Sequence, residues 1–328
     1  MRFSTQNLLS LREGQSHAQV YANTLDECRL AEELGFHTVW LAEHHFSPYG
    51  IAPSLAVLAA AVARETRRVR IGTAVVVAPF AHPLRIAEEW AMVDILSEGR
   101  LDFGLGRGYQ PAEFRGLAIS MENTRERFDE SLELIRRAWT DERCTFEGDF
   151  YQVRDLSVLP KPVQKPHPPL WTAAVSPDTY TLAAKRGLKI LTSPAFTPFD
   201  ILRKNYDAYR QAWREAQGTD AGADICLNKI IHVGGVVEAG ARGPPRAHPL
   251  VLPDAGRAHR GRDGRPARAV QVLPARPRKP SRAQRREGAR AGGDLRRPGG
   301  GRRQDPPAPR GPRGHVSHGI VQPRRRPP

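Results

Sequence analysis

The sequence predicts an α/β protein of the TIM (β/α)8 barrel type, truncated after its seventh strand and followed by a disordered Arg/Pro/Gly-rich tail. Short apolar or β-branched segments alternate with longer segments of helical periodicity along the first 234 residues. The strand segments are apolar on both faces, which is typical of parallel strands covered by helices. The length of 328 residues also suits one barrel, because about 250 residues are typical.

Seven strands and the helices between them account for residues 1–234. The strands are predicted at residues 1–8, 38–42, 70–77, 100–106, 170–175, 189–193 and 225–233. The helices are predicted at residues 18–34, 55–64, 84–96, 113–117, 124–139, 180–186 and 201–216. Alternation around Gly148 predicts a small hairpin over residues 144–153, and five prolines predict an extended connector over residues 160–169.

Side chains suited to catalysis or binding follow three successive strands. Glu43, His44 and His45 follow the second strand, His82 the third and Arg107 the fourth. Because the carboxyl ends of parallel barrel strands share one face, we expect these side chains at one rim. His44 is therefore a candidate catalytic residue, and Glu43 and His45 either act with it or orient a neighbour. Adjacent strand residues point in opposite directions, so a shared metal site is not expected.

Three glycines, Gly104, Gly106 and Gly108, alternate along the end of the fourth strand. They match a dinucleotide-binding fingerprint only in part, because the last glycine spacing and a helix start directly behind them are missing. The pattern instead favours a place where the backbone approaches a ligand closely.

Composition narrows the class of protein. No apolar run approaches the ~18 residues of a membrane span, and the start of the chain lacks the apolar core of a secretion signal. The three cysteines, Cys28, Cys144 and Cys226, are widely spaced. This spacing favours a reducing compartment, so we expect a cytoplasmic protein with neither disulfides nor a zinc site.

Residues 235–328 differ sharply from the rest in composition. They contain 23 Lys and Arg against 6 Asp and Glu, whereas the preceding residues contain 27 and 29, so the net charge of +15 comes from this segment. The segment holds 16 of the 29 prolines and none of the 23 aromatic residues. Such a mixture is what a G/C-rich gene encodes when it is translated out of frame.

The genetic code is compatible with a shift of one base. Residues 250–256 can then be reread as WFFRTL and residues 321–327 as FNPGGV. We therefore predict that residues 235–328 are a disordered frameshift product, with a natural basic arm as the alternative. Such an arm would bind nucleic acid through phosphates, although its lack of aromatic residues argues against stacking on bases. A third alternative is an inactive, poorly soluble chain, because a barrel of seven strands leaves edges unpaired.

Three segments of the barrel region resemble the bacterial luciferase-like flavin monooxygenases. They are AEHHF at residues 42–46, IGTAVVVAPFAHPLRIAEEWAMVDILSEGRLDFGLGRG at residues 71–108, and LWTAAVSPDTYTLAAKRGLKIL at residues 170–191. The resemblance covers about residues 1–234 and is specific for the superfamily rather than for a substrate. It implies a barrel that binds reduced FMN at its carboxyl face and uses O2 to oxygenate a small organic substrate.

The resemblance also implies roles for individual residues. His44 would assist the flavin–oxygen chemistry, and Ala74 and Val75 would lie against the flavin ring through a cis peptide. His82 would either line the flavin pocket or shape its loop. Three residues would hold the phosphate: Arg107, Ser176 and Thr179. The residue types agree with this last role, because a helix start and a guanidinium both favour a phosphate.

Two positions depart from the luciferase pattern. Val175 replaces an acidic residue and Gly106 replaces a reactive cysteine, so a light-emitting aldehyde oxidase is not expected. A deazaflavin-dependent dehydrogenase, which transfers hydride without oxygen, is the alternative within the superfamily. Family members are often dimers, and a separate NAD(P)H:flavin reductase would supply reduced flavin, so a homodimer and a reductase are the expected partners.

Overall fold

The structure of the protein is a computed structural model that describes residues 1–229. The strands are β1 Ser4–Asn7, β2 Thr38–Leu41, β3 Arg70–Thr73, β4 Val76–Val77, β5 Leu101–Gly106, β6 Cys144–Glu147, β7 Gln152–Leu156, β8 Leu170–Ala173, β9 Lys189–Thr192 and β10 Ile225–Leu227. The helices are α1 His17–Glu33, α2 Leu55–Glu65, α3 Pro83–Leu96, α4 Pro111–Gly116, α5 Thr124–Thr140, α6 Pro177–Lys185 and α7 Phe199–Gln217, with a 3-10 turn at Ala78–Phe80. Strands and helices therefore alternate at the predicted places.

The main strands form one parallel sheet that curls as in a barrel. Within the described residues the order is β1-β2-β3-β5-β8-β9-β10, and β4 pairs with β5 beyond the end of β3. Every neighbouring pair is parallel, and the order in the sheet follows the order in the chain. This is the arrangement that successive βα units produce. The prediction of a parallel barrel with seven main strands is confirmed.

The predicted third strand, residues 70–77, consists of two strands. β3 pairs with the start of β5 through Ile71 and Gly72, whereas β4 pairs with the end of β5. The peptide bond between Ala74 and Val75 is cis and lies between the two strands. Sequence periodicity could not reveal this division, because residues on both sides of it are apolar or β-branched.

Side chains alternate between two environments along the strands. Ile71, Phe103 and Ile190 point outward and join the main hydrophobic core beneath the helices. Trp40 and Trp171 form a second, smaller cluster with their ring centroids 5.1 Å apart in an edge-to-face arrangement. This alternation explains why the strands read as apolar on both faces: helices cover one face and the barrel interior holds the other.

Helix α5 covers the outer face of the sheet with the apolar stripe predicted from its sequence. The buried members of that stripe are Phe128, Leu132, Leu134, Ile135 and Trp139. The indole N–H of Trp139 also donates to the carbonyl of Ala87 in α3 at 2.8 Å. Burial of one large aromatic side chain contributes roughly 2–3 kcal/mol, so α5 is a major source of stability for this wall.

Charged side chains close the amino end of the barrel. Asp224, before β10, accepts from Arg2 and from Lys189, each at 2.8 Å. Asp102 accepts from Arg70 at 2.6 Å. These groups line a cavity of about 250 Å³. Because Arg2 precedes β1 and Asp224 precedes β10, their ion pair links the two outermost strands of the described sheet.

The predicted hairpin is present as the antiparallel pair β6–β7. The Glu130 carboxylate on α5 holds its turn by accepting from the N–H groups of Asp149, Phe150 and Tyr151, at 2.8, 3.0 and 3.1 Å. A Cβ at Gly148 would lie 2.3 Å from an oxygen of the same carboxylate. A side chain at 148 would therefore displace the Glu130 carboxylate from the turn that it holds.

Several predictions lie outside the described residues. They are the end of the seventh strand beyond residue 229, the domain boundary at 234, and the disordered tail and frameshift assigned to residues 235–328. Within the described part of the chain, no helix combines the length and apolarity that crossing a membrane requires.

Candidate active site

His44 lies just beyond the end of β2 and is buried, with 7% of its surface exposed. Its Nδ1 is 3.0 Å from Oε1 of Glu113 and 2.9 Å from Nε2 of Gln110. Gln110 precedes α4 and Glu113 lies in its first turn. Gly50 packs closely against the histidine, because a Cβ there would lie 2.9 Å from the His44 Cβ. The imidazole is therefore held between the α4 region and the turn that follows β2.

The neighbouring His45 faces a different carboxylate. Its Nε2 is 3.0 Å from Oε1 of Glu43, and its backbone N–H donates to Glu113 at 3.0 Å. The second oxygen of Glu43 accepts from the backbone N–H of Val77 at 3.0 Å. His44 and His45 therefore diverge, as strand geometry predicts. Both oxygens of Glu43 are engaged by protein groups, which gives this residue a positioning role between β2 and β4.

Two tyrosines border the His44 ring. The ring centroid of Tyr49 is 4.8 Å from that of His44, and the Tyr109 centroid is 6.3 Å away. Burial raises the pKa of Tyr49. Burial, together with the proximity of Tyr49, also raises the pKa of Tyr109. Both phenols consequently keep their protons at neutral pH and can donate hydrogen bonds.

The peptide bond between Ala74 and Val75 is cis, as the family resemblance implies. Both residues are partly buried and pack against the inner cluster that contains Trp40. Val75 also packs over β5, since a Cβ at Gly106 would lie 2.5 Å from its Cγ2. The position of this peptide against a flavin ring stays a prediction.

The glycines of β5 and its following loop allow close contacts with β3 and β4, and the predicted close approach of a ligand to this backbone stays a prediction. A Cβ at Gly104 would lie 2.0 Å from the carbonyl oxygen of Thr73. Gly106 makes room for Val75, as described above. Gly108 has φ +76°, and a Cβ there would lie 2.8 Å from Val77. The glycines therefore let β3 and β4 lie close to β5 and its following loop.

The three predicted phosphate ligands lie on adjacent strand ends. Arg107 follows β5, and Ser176 is the residue before α6, beyond β8. The hydroxyls of Ser176 and Thr179 are 2.8 Å apart. Arg107 is exposed, and no carboxylate among the described residues pairs with it. The start of α6 therefore carries two hydroxyls that are hydrogen-bonded to each other, near an exposed guanidinium on the neighbouring strand end, and Asp178 adds a carboxylate to the first turn of α6.

His82 has a local structural partner. Its side chain caps α3, with Nδ1 accepting from the backbone N–H of Leu84 at 3.2 Å. Its ring lies edge-on to Tyr151 of the hairpin, with centroids 5.4 Å apart. These contacts favour the loop-shaping alternative for His82. A role in binding a cofactor stays a prediction.

Large apolar side chains are exposed after four of the strands. They are Phe46 after β2, Tyr109 after β5, Val175 after β8 and Phe196 after β9. Between 49% and 67% of each residue is exposed. These four side chains give the carboxyl face an apolar rim at the ends of β2, β5, β8 and β9.

Sequence reasoning missed Glu113 and Gln110 as site residues. Glu113 marked only the start of a short predicted helix, and no motif distinguished Gln110. The signal available was positional: both follow β5, at the same face as His44. Only the fold shows that both are buried and contact a histidine more than 60 residues earlier in the chain. Among residues 1–229, no group of three or more His, Cys, Asp or Glu is arranged to hold a metal ion.

Fold and site together define a parallel α/β barrel protein with a polar, histidine-containing centre and an apolar rim at the carboxyl ends of its strands. Residues 1–305 match the family model described as luciferase-like monooxygenase. The chain belongs to the luciferase-like monooxygenase family.

Individual proteins agree with this assignment. The oxygenase component of the flavin-dependent trigonelline monooxygenase of Acinetobacter baylyi is 34% identical over 197 residues, which are 59% of this chain and 54% of that protein. This chain thus spans about half the length of that relative. The crystal structure of monooxygenase RslO1 from Streptomyces bottropensis is 37% identical, with a TM-score of 0.66 over 69% of this chain and 70% of that one.

Two more distant structures share the fold. One is the oxygenating constituent of 3,6-diketocamphane monooxygenase from Pseudomonas putida in complex with FMN, at 22% identity and a TM-score of 0.59, covering 66% of this chain and 63% of that one. The other is an F420-dependent secondary alcohol dehydrogenase in complex with an F420–acetone adduct, at 20% identity and a TM-score of 0.58, covering 69% and 68%. The fold therefore occurs with either type of cofactor.

Proposed function

We propose that this chain is a flavin-dependent monooxygenase that binds reduced FMN at the carboxyl face of the barrel and uses O2 to oxygenate a small organic substrate. The observation that carries the proposal is the apolar rim, Phe46, Tyr109, Val175 and Phe196, on the same face as the guanidinium of Arg107, which pairs with no carboxylate of residues 1–229. FMN suits both features, because its flat aromatic ring would contact the apolar side chains and its phosphate would contact the guanidinium.

The residues present fit that group. Arg107 would bond the phosphate with two N–H groups, and the start of α6, with the hydroxyls of Ser176 and Thr179, would donate further hydrogen bonds. The Ala74–Val75 peptide would lie against the ring. Reduced flavin, when bound, supplies the electrons with which oxygen is activated.

The remaining residues act on protons and on water. His44 has Nδ1 engaged by the α4 region, so Nε2 is the nitrogen that would exchange a proton with a bound molecule. The phenols of Tyr49 and Tyr109 would donate hydrogen bonds beside it. Phe46 and Tyr109 would exclude water from the reacting centre and thereby limit wasteful loss of activated oxygen.

The proposal includes partners. A separate NAD(P)H:flavin reductase would supply the reduced flavin, and the chain would act as a homodimer, as the family resemblance implies. The second candidate function is a deazaflavin-dependent dehydrogenase, and the fold similarity to the F420-dependent alcohol dehydrogenase supports it. The two differ in whether O2 is consumed.

The decisive experiment is an anaerobic titration of the purified chain with reduced FMN, reduced riboflavin and reduced F420, followed by mixing with oxygenated buffer. We expect reduced FMN to bind and to be oxidised by O2 at a rate that differs from that of free flavin. Tight binding of reduced F420 without O2 consumption would instead establish the dehydrogenase. Binding of neither cofactor by a folded chain would refute both functions.

The variant Arg107→Gln tests the phosphate contact. We expect it to weaken reduced FMN about tenfold, the effect of losing one charge-assisted contact, while leaving riboflavin unchanged because riboflavin has no phosphate. Arg115→Gln is the matched control, since Arg115 is also exposed but lies in the last turn of α4. Equal losses for FMN and riboflavin would contradict the assigned role of Arg107.

A further inference from the structure

One nitrogen of His44 has two partners of opposite hydrogen-bonding character. The carboxylate oxygen of Glu113 lies 3.0 Å from Nδ1, and the amide nitrogen of Gln110 lies 2.9 Å from the same atom. A carboxylate accepts hydrogen bonds, whereas an amide nitrogen donates them. An imidazole nitrogen either carries a proton and donates or carries a lone pair and accepts, so it cannot satisfy both partners at once.

The two contacts therefore belong to different tautomers. With the proton on Nδ1, His44 donates to Glu113 and Nε2 has a free lone pair. With the proton on Nε2, Nδ1 accepts from Gln110 and Nε2 becomes a donor. We propose that Glu113 and Gln110 are positioning residues that stabilise these two tautomers, so that Nε2 of His44 is available in one as a proton acceptor and in the other as a proton donor.

The surroundings make this arrangement specific. Glu113 and Gln110 are buried, with 2% and 7% of their surfaces exposed, so bulk water does not substitute readily for either contact. The backbone N–H of His45 donates to the same Glu113 oxygen at 3.0 Å and fixes it in place. Both residues belong to the α4 region, so one element presents both partners to the ring.

The chemical consequence rests on the proposed function. In a monooxygenase cycle a group that takes up a proton must later return it. His44 in the Nδ1–H form would accept a proton at Nε2, and the resulting imidazolium would face the Glu113 carboxylate. Return of the proton from Nε2 would restore the starting form, so no proton is gained or lost over the cycle.

Nitrogen-15 NMR of the full chain labelled with ¹⁵N-histidine tests the inference without any flavin. The tautomer ratio is read from the Nδ1 and Nε2 chemical shifts, and loss of signals in His44→Asn assigns them. We expect Glu113→Gln to shift the ratio toward Nε2–H by about fivefold, because a neutral acceptor forms a weaker hydrogen bond than a carboxylate. Gln110→Met should shift it toward Nδ1–H by a similar factor, because methionine lacks the donor.

Matched controls are Glu142→Gln and Gln211→Met, since both residues are exposed and do not contact His44. The inference is overturned if the two test variants leave the ratio unchanged or shift it in the same direction. If Glu113→Gln does not fold, the direction of the shift in Gln110→Met decides alone. Opposite shifts in a chain that oxidises no flavin would sustain the inference and refute the proposed function.

Discussion

At the scale of single residues, the carboxylates of Glu113 and Glu43 lie beside His44 and His45 but differ in their hydrogen-bond partners. Glu113 contacts the ring of His44 and is held by the N–H of His45. Glu43 uses one oxygen for His45 and the other for the N–H of Val77. The first carboxylate therefore contacts the ring of a candidate catalytic residue, whereas the second joins the end of β2 to β4. A search for catalytic residue types near His44 cannot separate these roles, because the difference lies in the partners.

Replacing Glu43 tests its positioning role. Glu43→Ala leaves the buried N–H of Val77 without its acceptor, and we expect a loss of about 1–3 kcal/mol in the free energy of unfolding. Glu43→Gln should recover most of that stability, because its amide oxygen can still accept from Val77. Urea unfolding measures both variants. Glu65→Ala, which removes only an exposed ion pair with Arg29, should cost less than about 1 kcal/mol. Equal losses in Glu43→Ala and Glu65→Ala would contradict the role.

At the scale of elements, the close contact between β3–β4 and β5 depends on glycine residues in β5. Gly104 lies against the carbonyl of Thr73, whose hydroxyl accepts from the N–H of Gly104 and donates to its carbonyl, each at 2.7 Å. The divided β3–β4 segment can follow β5 only because glycine occupies this position. This contact sets the position of Ala74 and Val75 in the candidate site, so glycine on one strand controls geometry on its neighbour.

Gly104→Ala should disrupt this contact. Its Cβ would lie 2.0 Å from a backbone oxygen, and backbone cannot move aside as a flexible side chain does. We expect a loss of at least about 3 kcal/mol, at the upper end for overpacked sites, measured by urea unfolding. Gly14→Ala is the control, because Gly14 has φ +80° but open space around it, which limits the cost to about 1–2 kcal/mol. A smaller loss at 104 than at 14 would show that the strands can separate without penalty.

At the scale of the whole molecule, ion pairs at the amino ends of the strands stabilise the curved sheet. Arg2 and Lys189 converge on Asp224, which brings the start of β1 close to the start of β10. These strands are the first and last of the described sheet. Burial tends to raise the pKa of Asp224, but the hydrogen bonds and charges of Lys189 and Arg2 outweigh it, and the pKa is lowered.

Asp224→Asn should therefore destabilise the protein in a pH-dependent way. Because the folded-state pKa is below the unfolded value of about 3.9, the carboxylate stabilises the fold above that value and loses its effect as the pH falls through the folded-state pKa. We expect a difference of about 1 kcal/mol at pH 7, since the group is partly exposed, and none in strong acid. Urea unfolding at several pH values measures it.

Asp220→Asn is the control for this experiment, since its pairing with Arg214 is exposed and local. We expect this substitution to change the free energy of unfolding less than Asp224→Asn does at pH 7, because exposed ion pairs contribute little. A difference between Asp224→Asn and the parent chain that persists unchanged at pH 2 would show that the ion pairs are not its source.

The sequence by itself determined the class of fold and the location of the candidate site. Apolar runs separated by helical periods predict parallel βα units, because each strand must bury both faces and each helix only one. The position of His44 directly after such a run places it at the carboxyl face. The helix bounds were also predictable within a few residues, since caps, prolines and glycines act over short distances.

Tertiary structure decided which of the candidate residues act on one another. His44 follows β2, whereas Gln110 and Glu113 follow β5, which lies two strands away in the curled sheet. No local sequence pattern encodes the approach of these two strand ends. The division of residues 70–77 into two strands, and the use of the β5 glycines for protein contact, likewise depend on how neighbouring strands approach. Local periodicity specifies what each segment becomes, whereas hydrogen-bond partners and close contacts arise between segments distant in the chain.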